Sequence, residues 1–351
     1  MKVSIDLVQA TLRAPFASAH GTVTERELVL LRIEDADGVS GWGEAAPLQS
    51  YDGVAVNDVV AALESRRAVL ERWNGKLDSR GRGAILGAKG LELQQAVAAV
   101  DMAIWDYRGR RAGKPAWQLL GGAPAAAAPV SLNATIGAVD ARSAAREAAT
   151  AAAAGFTCVK VKVGVQGDRE RVAAVRESVG PDVAIRIDAN GAWTAEEALA
   201  ALAGLEPYGI ELCEEPVHGL DAIRALAGRS RVPVAVDESV SEPQALSQRH
   251  ADAACLKLAR AGGLGGLVGA MQVARATGYS MYLASTLDGP LGIAAALHAC
   301  AVVPPDRACG LATLGLFERD CEALRPASGR LAVPDGPGLG NGLRDWYIET
   351  V

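Results

Sequence analysis

The chain has 351 residues, half of them hydrophobic and 22% charged, a composition typical of a globular protein with a large buried core. Its 35 basic and 41 acidic residues give a formal net charge of −6, which argues against a nucleic-acid-binding or membrane-surface protein because both need a basic face. No uncharged apolar stretch of about 18 residues is present and the first residues alternate like a strand, so we expect no membrane span, no signal peptide and a cytoplasmic protein.

Residues 1 to about 50 alternate in the way that predicts strands, with Asp37-Gly38 as a hairpin turn. From Val54 to about Gly122 the apolar residues recur at spacings of three and four, which predicts helices. A Gly-Gly pair and an Ala/Pro stretch, Gly121 to Pro129, then mark a boundary.

Beyond this boundary, short apolar runs alternate with helical patterns. The runs are VSLNATI, CVKVKVG, AIRIDAN, ELCEEP, PVAVDES, ACLKLA, SMYLAS and ACGLATL. Eight strands alternating with helices predict a parallel sheet closed into a (β/α) barrel. The last stretch, from about Arg325, is rich in Pro and Gly and contains DWYIE, an extended patch that we expect to return to the first domain.

The cysteines and histidines indicate no zinc site and no disulfide framework. The six cysteines include no CxxC pair, and the four histidines include no HExxH pattern. We expect Cys158, Cys213 and Cys255, each inside an apolar run, to be buried as small hydrophobic side chains. A Ser-His-Asp hydrolase is disfavoured because no GxSxG elbow is present.

Charged side chains stand at the ends of the predicted barrel strands, where the active site of such a barrel lies. In CVKVKVG the period of two puts Lys160 and Lys162 on one side of the strand, facing the barrel mouth. The next runs end in a series of acidic or amide residues: Asp188 and Asn190, Glu214 and Glu215, Asp237 and Glu238. The sixth run carries Lys257.

Three successive strands that end in carboxylates bring hard oxygen ligands to one point, and such ligands suit Mg²⁺ or Mn²⁺. We therefore predict that Asp188, Glu214 and Asp237 bind one divalent cation, flanked by lysines. Beside a cation the ammonium form of a lysine is disfavoured, so its pKa falls toward that of a general base. Each such charge alone is typical of a solvated strand end, but the ordered set is not. Asn190, Glu215 and Glu238 should support the ligands from behind.

The chain resembles the muconate-lactonising-enzyme subgroup of the enolase superfamily. The residues that carry the resemblance are Lys160-x-Lys162, Asp188-x-Asn190, Glu214-Glu215-Pro216, Asp237-Glu238-Ser239 and Lys257, with the segment WDYRGRRAGKPAWQLLGG before the boundary. The resemblance implies a modified (β/α)8 barrel under an α+β capping domain built from both termini. We expect a capping domain at 1–122, the barrel at 123–324, and a segment at 325–351 that returns to the capping domain.

The resemblance also implies the chemistry. Lys162 and Lys257 would be the acid/base pair, with Lys160 assisting electrostatically, and the substrate would be a small carboxylate whose α-proton is removed to give an enediolate. Family members are often homo-oligomers, and we expect this chain to be a homo-oligomer too. In a racemase both lysines move protons, whereas in a dehydration Lys162 carries the proton and Lys257 stays charged.

Several reactions remain open. The segment after strand seven is similar to o-succinylbenzoate synthases of actinobacterial type, and this dehydration, a step of menaquinone biosynthesis, is the leading hypothesis. The TLDGP turn with Asp288 keeps muconate cycloisomerase open, and N-acylamino acid racemase or dipeptide epimerase is a further alternative. The eighth run, ACGLATLG, lacks the carboxylates that would bind a dipeptide ammonium. A non-catalytic barrel is the remaining alternative, and the intact charge set argues against it.

Two loops of the capping domain, Phe16 to Gly21 and Leu48 to Gly53, are expected to close over the site and exclude water. They and the turn after strand seven contribute the expected substrate contacts, which are Phe16, His20, Tyr51, Ser285 and Asp288.

Overall fold

The computed structural model describes residues 1–18, 21–76, 93–123 and 127–348. Its strands are β1 Lys2–Ser18, β2 Gly21–Glu34, β3 Ser40–Ala45, β4 Val130–Ser131, β5 Ala134–Ile136, β6 Cys158–Lys162, β7 Ala184–Asp188, β8 Ile210–Glu214, β9 Val234–Val236, β10 Ala253–Leu256, β11 Ser280–Leu283 and β12 Arg330–Leu331. Its helices are α1 Gln49–Asp52, α2 Val56–Arg72, α3 Gln94–Ala112, α4 Ala116–Leu119, α5 Ala141–Ala153, α6 Asp168–Val179, α7 Ala195–Leu205, α8 Leu220–Ala227, α9 Leu264–Thr277 and α10 Pro290–Val302.

The first three strands form an antiparallel sheet in the order β1-β2-β3, as the alternating pattern predicts. Helix α3 lies directly on β3, because a Cβ at Gly41 or Gly43 would lie within about 2 Å of a carbonyl oxygen of the helix. Alternate residues of β2, Val29, Leu31 and Ile33, are fully buried in the cluster that joins this sheet to α2 and α3. This part of the chain is the cap.

The barrel contains a seven-stranded parallel sheet in the order β5 to β11. The prediction of an eighth strand is wrong, because ACGLATL forms one isolated β-bridge on each side and no continuous strand pairing. Cys309 pairs with Leu132 and Gly310 pairs with Ala284, so this run joins the first and last strands and closes the barrel. The predicted barrel class is confirmed, with a bridging segment in place of the eighth strand.

The C-terminal segment contacts both parts of the chain. Strand β12 pairs antiparallel with β4, and the Arg110 side chain donates to the Gly340 carbonyl oxygen over 3.0 Å. The expected extended patch is wrong, because Arg344–Tyr347 is a 3₁₀ helix. Its last residue, Tyr347, does reach the cap, where its hydroxyl donates to the Glu44 carboxylate of β3. The three-part division of the chain stays a prediction.

All six cysteines are free and buried, as expected for Cys158, Cys213 and Cys255. The helices that the structure describes include none long and apolar enough to cross a bilayer.

Candidate active site

The charged side chains meet at the carboxyl ends of the barrel strands. In β6 all five residues are buried, and the alternation of side chains turns Lys160 and Lys162 inward while Val159 and Val161 pack against the helices. In the register of the sheet, Lys162 of β6 lies beside Asp188 of β7, and Asp188 lies beside Glu214 of β8. The three predicted ligands, Asp188, Glu214 and Asp237, are at most 1% exposed.

Lys160 lies between two of these carboxylates. Its Nζ is 2.9 Å from Asp188 Oδ2 and 3.1 Å from Glu214 Oε2. Burial disfavours the ammonium form, but the two carboxylates outweigh burial and raise the pKa of Lys160. Lys160 therefore carries a permanent positive charge that holds the two carboxylates together.

Lys162 is held by β7 and the residues that follow it. Its Nζ is 2.6 Å from Asp188 Oδ2 and donates to Asn190 Oδ1 over 2.7 Å. Burial works to raise the pKa of Asp188, but Lys160 and Lys162 outweigh burial and hold that pKa well below its usual range. The two lysines therefore favour the ionised form of Asp188, which is the form that a cation would bind.

Lys257 follows β10 on the other side of the mouth. Its Nζ lies 2.5 Å from Asp237 Oδ1 and also contacts the phenol oxygen of Tyr51. Burial disfavours the charged form, but Asp237 outweighs it and raises the pKa of Lys257. The expected fall in lysine pKa depends on a bound cation and stays a prediction. In the protein alone no cation neutralises the carboxylates, and they raise the pKa of the lysines instead.

Behind the ligands stands a second set of polar side chains. Glu215 accepts the backbone N–H groups of Asp237 at 2.7 Å and Ser239 at 3.0 Å. Asn190 donates to Glu238 Oε1 over 2.9 Å while it accepts from Lys162. Glu215 and Asn190 have φ values of 39° and 47°, an uncommon backbone conformation at the point where each strand turns into its loop. These contacts hold the strand ends that carry the ligands.

The donor set fits a hard divalent cation. Ligand atoms of Glu214, Asp237 and Cys255 lie within 4.8 Å of one another, and Asp188 joins Glu214 through Lys160. Burial raises the pKa of the Cys255 thiol, and a thiol is a softer donor than the carboxylate oxygens that Mg²⁺ prefers. Asp188, Glu214 and Asp237 are thus the residues that would hold Mg²⁺ or Mn²⁺.

A cavity opens above these groups, between the barrel mouth and the cap. Its lining residues are Phe16, Val23, Leu48, Ser50, Tyr51, Thr135, Lys160, Lys162, Asp188, Asn190, Asp237, Lys257, Ala284, Ser285, Thr286, Leu287, Gly310 and Thr313. Apart from the charged cluster, the lining is apolar or hydroxylic. The cavity therefore suits a small molecule with one anionic end.

The predicted substrate contacts divide into three groups. Phe16, Tyr51 and Ser285 line the cavity. His20 lies outside the described residues. Asp288 does not line the cavity: it is 3% exposed, accepts from the Thr286 hydroxyl over 2.8 Å, and faces Arg26 and Glu44 beneath the loop.

Sequence reasoning missed several lining residues, among them Thr135, Thr313 and Leu287. Thr135 of β5 pairs with Lys160 of β6, and both side chains point into the barrel. The alternation of side chains along a strand could therefore have identified Thr135 from the sequence. Thr313 shares a 2.6 Å hydrogen bond with Ser285, and only the closure of the barrel brings them together. Leu287 lines the cavity with a φ of 60°, which no local pattern indicates for a leucine.

Comparison with protein families matches nearly the whole chain. Residues 1–121 match the family described as the mandelate racemase / muconate lactonizing enzyme N-terminal domain, and residues 143–346 match the enolase C-terminal domain-like family.

Three characterised relatives catalyse different reactions. The chain is 32% identical to the L-Ala-D/L-Glu epimerase of Bacillus subtilis over 85% of this chain and 84% of that protein. It is 30% identical to muconate cycloisomerase 1 of Rhodococcus opacus over 100% of this chain and 97% of that protein. It is 36% identical to the o-succinylbenzoate synthase of Thermobifida fusca, over 58% of this chain and 66% of the synthase.

Solved structures share the complete fold. The substrate-liganded L-Ala-D/L-Glu epimerase from Bacillus subtilis superimposes with a TM-score of 0.87 at 29% identity, covering 97% of this chain and 98% of that one. The dipeptide epimerase from Enterococcus faecalis, complexed with Mg and the dipeptide L-Leu-L-Tyr, superimposes with a TM-score of 0.88 at 26% identity. The match covers 97% of this chain and 98% of that one.

Proposed function

The chain belongs to the enolase superfamily, and from this membership we propose that it is a racemase or epimerase that removes and returns the α-proton of a small carboxylate. The superfamily chemistry, a Mg²⁺-dependent proton abstraction through an enediolate, is common to the epimerase, cycloisomerase and synthase relatives. The finer assignment, isomerase rather than lyase, is our proposal.

The observation that carries it is the placement of two lysines on opposite sides of one cavity. Lys162 is on β6 and Lys257 follows β10, and three strands separate β6 from β10 around the barrel. Both side chains line the same cavity. A carbon between them is within reach of one amine on each face, which is what inversion of a stereocentre needs.

The roles of the chain's own residues follow. Asp188, Glu214 and Asp237 would hold the cation, which when bound supplies positive charge to stabilise a substrate carboxylate as negative charge develops on it. One lysine takes the α-proton in its neutral form, and the ammonium of the other lysine returns a proton to the opposite face. Lys160, fixed between Asp188 and Glu214, keeps a positive charge next to the reacting end.

The cavity favours a substrate whose nitrogen carries no charge. The bridging segment that closes the barrel presents Gly310 and Thr313 to the cavity, and the run contains no carboxylate that could bind an α-ammonium group. We therefore favour an N-acylated amino acid over a free dipeptide. Phe16, Leu48 and Leu287 supply the apolar lining for its side chain or acyl group.

Deuterium wash-in tests the proposal. Both enantiomers of N-acetyl- and N-succinyl-amino acids are incubated in D₂O with the protein and Mg²⁺ or Mn²⁺, and α-proton loss is followed by NMR. We expect wash-in from both enantiomers with accumulation of the opposite one. The Lys162→Ala/Lys257→Ala double variant is the matched control, and wash-in confined to one enantiomer would contradict a racemase.

Dehydration to o-succinylbenzoate is the second candidate. It is favoured by the synthase relative, which has the highest identity of the three although it aligns over a smaller share of the chain. The test is turnover of the hydroxylated cyclohexadiene carboxylate precursor, followed by aromatic absorbance. Muconate cycloisomerisation is less well supported, because Asp288, the acidic residue of its turn, does not line the cavity.

A further inference from the structure

The two lysines of the cavity are oriented by different parts of the molecule. Lys162 is held by Asp188 and Asn190, which both belong to the barrel. Lys257 is held by Asp237 from the barrel and by Tyr51 from the cap. The partner of Lys257 thus comes from 206 residues away in the chain.

Tyr51 makes three kinds of contact with the Lys257 side of the mouth. Its hydroxyl accepts from Lys257 Nζ and lies 3.4 Å from Asp237 Oδ1, to which it donates. Its ring centroid lies 4.6 Å from Lys257 Nζ and 4.6 Å from the guanidinium carbon of Arg260. Two cations therefore flank the electron-rich ring, an arrangement that fixes the ring as well as its hydroxyl.

The ring is anchored on both sides. Arg260 donates to the Glu238 carbonyl oxygen over 2.8 Å, which ties it to the barrel. The short helix α1 that carries Tyr51 ends at Asp52, whose carboxylate accepts from the Gln95 side chain of α3 over 2.8 Å. The position of Tyr51 is therefore fixed by the cap. Lys257 has both of its hydrogen-bond partners, Tyr51 and Asp237, only when the cap is docked on the barrel.

We propose that Tyr51 is a positioning residue for Lys257 alone, so that the cap controls proton transfer on one face of the substrate and not on the other. This inference rests on the proposed two-lysine function. Without the phenol oxygen, the Lys257 ammonium keeps Asp237 as its hydrogen-bond partner among the described residues and turns toward that carboxylate. The Lys162 face keeps both Asp188 and Asn190.

The experiment compares the two faces within one protein. Lys257→Ala first identifies which enantiomer of the N-acyl amino acid loses wash-in. Tyr51→Phe, which keeps the ring between its two cations, should slow wash-in from that enantiomer by about 10- to 100-fold, the range of a lost hydrogen bond to a charged group. Wash-in from the other enantiomer should stay near the wild-type rate.

Two variants serve as controls. Asn190→Gly removes the amide that orients Lys162 and suits the left-handed backbone at that position, so it should slow the opposite enantiomer. Glu25→Gln changes an exposed residue of the cap outside the cavity and should leave both rates and their ratio unchanged. A loss of metal or of folding would reduce both rates together, so the ratio reports the orientation of one lysine.

Acetic anhydride labelling, read by mass spectrometry at Lys257 and Lys162, gives a readout independent of substrate. Tyr51→Phe should lower labelling of Lys257 relative to Lys162, because the Lys257 ammonium then lies closer against the Asp237 carboxylate and its nitrogen is less available. Equal slowing of both enantiomers, or an unchanged labelling ratio, would overturn the role of Tyr51. If the wild type shows no wash-in with any probe while the labelling ratio changes as expected, the proposed function fails and the Tyr51–Lys257 coupling stands.

Discussion

The two ends of the barrel both contain buried charges, but their charge balance differs. At the carboxyl end, five carboxylates face three lysines: the acids are Asp188, Glu214, Glu215, Asp237 and Glu238, and the bases are Lys160, Lys162 and Lys257. At the amino end, Arg186 and Arg307 share one carboxylate, Glu211, over 2.6 and 2.7 Å.

The same strand contributes to both ends, because Arg186 and Asp188 are two residues apart on β7. Arg186 has no exposed surface and is fully engaged: it donates to Glu211 and the Ala308 carbonyl oxygen, and it lies 4.4 Å from the Tyr282 ring centroid. At the carboxyl end the acidic excess faces a cavity and is suited to an added cation. Charges at both ends border a cavity, so neither burial nor a cavity alone marks the site. The excess of carboxylates, the donors that a cation needs, does.

The largest expected effect comes from removing a cation ligand. Asp188→Ala, Glu214→Ala or Asp237→Ala should lower wash-in by on the order of 10³-fold or more, since a bound metal supplies several kcal/mol of charge stabilisation. Mg²⁺ titration by calorimetry and circular dichroism should show lost binding with retained fold. A crystal with the ion bound elsewhere would contradict the assignment.

The next largest effect separates the lysines. Lys162→Ala should lower wash-in by about 10²- to 10⁴-fold for the enantiomer whose α-proton faces Lys162. This is the usual contribution of a general acid or base. Lys257→Arg keeps the charge but is a poor base. If it retains full turnover of the cyclohexadiene precursor while wash-in of N-acyl amino acids is lost, dehydration is the native reaction and the racemase proposal is wrong.

A third buried charge lies in the cap, where the Glu44 carboxylate accepts from the Gly289 N–H of the turn after β11. Burial, with Asp288 beside it, raises the pKa of Glu44 to about 7, whereas its ordinary value is 4.5. Between these values the folded protein binds a proton that the unfolded chain has released, so stability falls as pH rises from about 4.5 to 7, by roughly 3 kcal/mol at most.

Glu44→Gln should remove most of this slope, measured as the difference in melting temperature between pH 5 and pH 8. Arg26, Asp288 and Tyr347 are the other titratable groups that face Glu44. Glu25→Gln, on an exposed part of the same sheet, is the control and should leave the slope unchanged. An unaltered slope in Glu44→Gln would show that other groups set the pH dependence.

The smallest effect belongs to the amino end. Glu211→Ala leaves Arg186 buried without a carboxylate and should lower the free energy of unfolding by about 2 kcal/mol, less than a fully buried pair because the Glu211 side chain is 24% exposed. Urea unfolding measures it, and wash-in per folded molecule should not change. The control is Glu206→Ala, whose exposed pair with Arg231 should contribute almost nothing. Reduced wash-in in folded Glu211→Ala would make the two ends functionally coupled.

The barrel class, the buried cysteines and the set of charged residues at the barrel mouth could be predicted from the sequence alone. The physical reason is that alternation in a strand fixes the direction of each side chain, and parallel strands bring their carboxyl ends to one edge. Lys160, Lys162 and Asp188 could thus be placed together without knowledge of any contact, although their roles in catalysis stay predictions.

The roles of the loops depend on contacts that form only in the folded chain. Asp288 and Leu287 are neighbours in one turn, yet the leucine lines the cavity and the aspartate faces Glu44 beneath it, because the cap and the barrel together determine the turn. The run ACGLATL closes the barrel through two bridges, and no local signal distinguishes this from a strand. Tyr51 reaches Lys257 only because the cap docks on the barrel mouth, and contacts between residues so distant in the chain leave no periodic pattern in the sequence.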